Sequence, residues 1–138
     1  MTDSDLVAKK LALVETYLRQ LRQHGDPTRI TQDLRELRFY EHTLQIAIQA
    51  TLDVASHIVS DERLGEPDSN RDLFARLGAH GWLDGALVQR LARMAGFRNV
   101  LVHGYAEVDP LIVQDVAQHH LGDLEDFVKA MRSRLHNG

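Results

Sequence analysis

The chain has 138 residues, 43% of them hydrophobic, and a net charge of −4, which suits one domain with its own core. It contains no cysteine, which excludes a disulfide framework, a thiolate metal site and a thiol nucleophile. No apolar stretch approaches the ~18–20 residues that a membrane helix needs, and the acidic start Met1-Thr2-Asp3-Ser4-Asp5 lacks the basic and apolar pattern of a signal peptide. A single domain over residues 1–138 is expected, cytoplasmic and without a membrane partner. The acidic balance argues against a broad electrostatic grip on nucleic acid. It leaves room for a local basic site, and Arg90, Arg93 and Arg98 fall in one stretch, Arg35 and Arg38 in another.

In chain order, Val7, Leu11, Val14, Leu18 and Leu21 repeat at alternating steps of four and three, the seam of a helix packed on other helices. Gly25-Asp26-Pro27 stops it. Thr28 or Thr31 then caps a second helix with seam residues Ile30, Leu34, Leu37, Leu44, Ile48, Ala55 and Ile58, running to about Arg63. Gly65-Glu66-Pro67-Asp68-Ser69-Asn70 is rich in turn formers and reads as a loop. A short helix covers Arg71–Leu77, ended by Gly78. After Gly81, Asp84 caps a helix with Leu87, Leu91, Met94 and Leu101 on its seam. Asp109-Pro110 is a helix start, a capping residue followed by proline in the first turn, and the last helix carries Val113, Ala117, Leu121, Leu124, Val128, Met131 and Leu135. No segment alternates with a period of two. The pattern predicts an all-α chain, an antiparallel helical bundle of four main helices plus a short one.

The seam is broken at one place. It runs Leu87, Leu91, Met94, Arg98, Leu101, Tyr105, so an arginine stands where an apolar residue belongs. A charge turned towards a seam must be paired or line a wet cavity. In the bland reading Arg98 pairs with an acid such as Glu41 or Asp53, or sits where the seam splays open. In the functional reading it belongs to a site with Asn99, His103 and Tyr105. Arg98 and Tyr105, seven apart, share a helix face, as do Asn99 and His103, four apart. Arg98 and His103, five apart, stand roughly 140° from each other on an ideal helix. A helix distorted at Gly104, or a second copy of the helix across a two-fold axis, would bring them together. Such a set suits phosphate esters: arginine for the phosphoryl oxygens, histidine for proton transfer near neutral pH.

The second helix is broken in a similar way. Glu41 falls on its seam, and Gln45, Gln49, Asp53 and His57 form a polar stripe at four-residue steps. Glu41 and Asp53 are the candidates to answer Arg98, while Gln45 and Gln49 read as a solvated face. Asp53 with His57 offers two ligands, too few to propose a metal. His119-His120 points to two helix faces and reads as structural or exposed. Trp82 and the seam residues Met94 and Met131 read as packing. There is no phosphate-binding glycine loop and no nucleophile elbow, so no cofactor is called for.

The segment Met94-Ala95-Gly96-Phe97-Arg98-Asn99-Val100-Leu101-Val102-His103-Gly104-Tyr105 resembles the signature of HepT-like proteins, a branch of the HEPN superfamily. Their pattern is Arg, four residues, His, one residue, Tyr, commonly with Asn after the Arg. Leu44 to Ile58 reads like the family's second helix, and Asp109 onward, ending in Leu124-Glu125-Asp126-Phe127, like its last. The likeness covers about residues 30–135. It implies a homodimeric HEPN-like bundle acting as a metal-independent RNA endonuclease, the toxin of a type II-like toxin–antitoxin pair. By the same resemblance Arg98 binds the scissile phosphate, His103 is the general acid/base and Asn99 orients the site. Tyr105 matches the tyrosine that an MntA-like nucleotidyltransferase antitoxin modifies with AMP. One departure is that Glu41 is followed by His42, where the family often has arginine, which puts any role of that arginine in doubt. The alternatives are a catalytically silent HEPN module that binds RNA, a nucleotide or a transferase partner, and a plain structural bundle.

Overall fold

A computed structural model describes residues 2–103 and 108–137. Among them are six α-helices and one 3-10 turn: α1 Ser4–His24, the turn Pro27–Arg29, α2 Leu34–Asp61, α3 Asn70–Ala79, α4 Gly85–His103, α5 Pro110–His119 and α6 Leu121–Asn137. No described residue is in a strand, so the all-α expectation holds. No helix is long and apolar enough to cross a membrane, among the described residues.

Local chemistry sets the helix ends. The Asp3 carboxylate accepts from the Leu6 N–H and opens α1, whose five seam residues are all at most 2% exposed. Gly25 follows α1, and its backbone N–H closes the last turn on Leu21 O. A Cβ there would run into the Tyr40 ring. Neither Thr28 nor Thr31 caps α2. Asp33 does, its carboxylate accepting from Arg35 N–H, while Ile30 is buried in the connection and Leu34 is left exposed. Ser69 caps α3, which begins at Asn70, one residue before the expected start, and Asp84 caps α4 by accepting from Leu87 N–H at 2.7 Å. Gly81 takes a positive φ of 82°, which turns the chain between α3 and α4 at no steric cost.

The segment from Pro110 onward was expected as one helix and is two. His120 leaves helical geometry (φ −124°, ψ 3°) while its N–H still closes α5 on Val116 O. The buried positions Val113, Ala117, Leu121 and Leu124 continue across the break, so their spacing does not reveal it.

α2 is the hub, contacting α1, α3, α4, α5 and α6. Its buried side chains surround the axis, with Leu44, Ala47, Ile48, Thr51, Leu52, Ala55 and Ile58 among them. Phe74 of α3 meets Phe127 of α6 edge to face at 5.9 Å. Trp82 is buried beneath the Arg134 guanidinium, 4.9 Å from the ring. Tyr40 is buried too, and desolvation pushes its phenol up to about 12. With α2 fixed on five sides, the C-terminal half of α4 is held against it, and the broken seam falls at that junction.

Candidate active site

Arg98 occupies the seam of α4 and is half-buried. Its Nη2 donates to Gln49 Oε1 of α2 at 2.9 Å, and its Nη1 lies 3.4 Å from Asn99 Oδ1. Its Nε is buried without a hydrogen-bond partner among the described residues. Both partners are neutral amides, and among the described residues Arg98 forms no ion pair.

The two acids expected to answer it are engaged elsewhere. Glu41 accepts from Arg38 at 2.6 Å, three residues back on its own helix. Asp53 Oδ2 lies 3.3 Å from Lys10 Nζ of α1, and its Oδ1 accepts from Gln49 Nε2 at 2.9 Å. Asp53 therefore reaches Arg98 only through Gln49. Glu41 has no part in these contacts.

Gln49, which by its sequence reads as part of a solvated face, instead bridges α2 and α4. A signal was available: the stripe of Gln45, Gln49, Asp53 and His57 lies on a helix with apolar residues on nearly every other side, leaving little room for a wide wet face. A polar residue there is placed to meet another helix. His57, the last of the stripe, sets Nε2 2.9 Å from Asp61 Oδ2. Among the described residues no group of three or more potential ligands could hold a metal ion.

His103 is the last residue of α4 and is exposed, as is Asn99. The helix runs unbroken to that point, so the five-residue step from Arg98 keeps its wide angular separation. Among the described residues no hydrogen bond joins the two side chains. Asn99, four residues before His103, lies on its side of the helix and also touches Arg98, so it links the two. Tyr105 lies outside the described residues.

A second cation packs on another face of α4. Arg71, at the start of α3, rests on α4 at Gly96, where an added Cβ would stand 2.6 Å from its Nη2. The missing side chain lets the guanidinium pack on α4 about 200° around the helix from Arg98. Arg90, by contrast, is spent: its Nη1 donates to Asp126 at 2.9 Å and Asp123 at 3.0 Å, and these bonds raise its pKa. The His119-His120 pair is tied to Asp115, at 3.0 and 3.2 Å, whose pKa the histidines lower.

The model of the ribonuclease HepT-like family matches residues 14–131, from the middle of α1 to near the end of α6. The chain belongs to that family. Among its HepT relatives, the mRNA nuclease HepT of Shewanella oneidensis is 33% identical over 131 residues, covering 94% of this chain and 98% of that one. The tRNA nuclease HepT of Aphanizomenon flos-aquae is 29% identical over 132 residues, 94% of this chain and 90% of that one. The solved structure of the tri-AMPylated Shewanella oneidensis HEPN toxin in complex with MNT antitoxin superposes with a TM-score of 0.85 at 33% identity, over 96% of this chain and 99% of that one. The HEPN-like bundle expected from the motif is thus also the fold of its HepT relatives.

Proposed function

We propose that this HepT-like chain is an RNA endonuclease that acts as a toxin, works as a homodimer in the cytoplasm and is silenced by AMP on Tyr105. One observation carries this: among the described residues Arg98 meets no acid at the α4–α2 junction, and an exposed imidazole, His103, ends the same helix five residues later. The full-length likeness to nucleases named for mRNA and tRNA supports RNA as the substrate class.

The chemistry follows from the substrate. The RNA 2′-hydroxyl attacks the adjacent phosphorus, the O2′–P bond forms and the P–O5′ bond breaks, leaving a 2′,3′-cyclic phosphate. Arg98 donates to the non-bridging oxygens, where negative charge builds. His103 moves the proton that leaves O2′ and the one that O5′ requires. Asn99, touching Arg98 and sharing the face of His103, orients the site. The angular separation of Arg98 and His103 on a straight helix favours a site completed by the same helix of a second copy. No step calls on a metal ion.

Silencing needs a nucleotidyltransferase of the MntA-like kind. Transfer of AMP from ATP to the Tyr105 hydroxyl, with loss of pyrophosphate, would place a phosphate two residues from His103 in sequence. That anion competes for the donors of Arg98. Incubation with such a transferase and ATP should add mass in steps of AMP to the peptide containing Tyr105, and Tyr105→Phe should stay unmodified and toxic. Modification of the Phe variant would remove Tyr105 from the role.

The activity itself is tested with His103→Ala. RNA cleavage and growth arrest should fall by about 10²–10⁴-fold, the usual contribution of a positioned acid–base group, with the helical circular dichroism unchanged. Full activity in this variant would refute the assignment of His103.

A further inference from the structure

We infer that Gln49 is the positioning residue for Arg98 and that Asp53 sets the orientation in which it works. The inference rests on the proposed role of Arg98 at the scissile phosphate. A glutamine amide has a donor end and an acceptor end of nearly equal shape, and its neighbours decide which faces where. Asp53 settles it here. Its ionised carboxylate only accepts, so the Gln49 NH2 group must turn to it, at 2.9 Å, and the carbonyl is left to accept from Arg98, also at 2.9 Å. Lys10 of α1, 3.3 Å from the other carboxylate oxygen, offsets the charge of Asp53. A row of contacts thus crosses three helices, from an ion pair at one end to a cation at the other that meets no acid among the described residues.

The neutrality of Gln49 matters. An arginine side chain is long and has many rotamers, so a catalytic guanidinium must be held. A carboxylate in direct contact would hold it and also cancel the charge that a phosphate needs. An amide carbonyl holds it and leaves the charge in place. The spare Arg98 donors are then free for phosphate oxygens, apart from the buried Nε. Were Gln49 only a staple between α2 and α4, its loss would lower stability and leave the chemistry alone.

The test measures single-turnover cleavage of an end-labelled mRNA transcript and of bulk tRNA by the full-length protein. Gln49→Leu should lower the maximal rate about ten- to a hundredfold, the worth of a hydrogen bond to a charged group. Apparent RNA affinity should change less than about threefold, and melting should stay within a few degrees. In an Arg98→Lys background the same substitution should cost less than about threefold, because the interaction it removes is already gone. Exchanging the two groups, Gln49→Glu with Asp53→Asn, restores an acceptor to Arg98 and should recover part of the rate while weakening RNA affinity. An equal loss in both backgrounds, or a rate unchanged in Gln49→Leu, would overturn the positioning role. If Arg98→Lys itself cleaves like wild type, or wild type cleaves neither RNA, the proposed function fails instead.

Discussion

Two arginines on α4, eight residues apart, show how one helix engages its cations in two ways. Arg90 faces α6 and gives its charge to Asp123 and Asp126. Arg98 faces α2 and meets Gln49 and Asn99, which carry no charge. The first is a tie between helices. The second has only neutral partners among the described residues, which under the proposed function leaves its charge for an RNA phosphate. Under the proposed function, the net charge of a protein says little about a nucleic-acid site. In a chain of net charge −4, what counts is which cations the acids have already claimed.

The comparison is broken most sharply by removing each arginine in turn. Arg98→Ala should abolish cleavage by 10²-fold or more, since one donor lost from a charge-stabilising site costs about 10²–10³ in rate, while melting barely moves. Arg90→Ala should do the reverse. It leaves Asp123, 7% exposed, without its main partner, and the stability loss should be about 1–3 kcal/mol, read by urea denaturation. Cleavage below the melting transition should stay within about threefold, because surface charge changes away from a site act weakly. If both variants lose rate in step with stability, the division between the two arginines is wrong.

The bundle was legible in the sequence because helices such as α1 bury one face, and the four-three spacing of α1 marks every buried position on it. The candidate site was legible through one violation of that spacing, Arg98. The partners of Arg98 were not. Glu41 and Asp53 were chosen by charge, but each has a nearer cation: Arg38 one turn away, and Lys10 brought in by the packing of α1 on α2. Periodicity gives the face of a residue and not which neighbour reaches it first. The same limit hid the break at His120, where the apolar register runs on although the backbone turns, and the cap of α2 at Asp33, three residues after buried Ile30.

The central claim is that the Arg98 cation and the His103 imidazole cut RNA by moving charge and protons, with the 2′-hydroxyl as nucleophile. Its most direct test is the chemistry of the RNA ends produced by the purified protein in excess EDTA. The account predicts unimpaired cleavage, fragments ending in 2′,3′-cyclic phosphate with 5′-hydroxyl partners, and none of these from Arg98→Ala. Cleavage that stops in EDTA and returns with a divalent ion, or fragments bearing 3′-hydroxyl and 5′-phosphate ends, would contradict it.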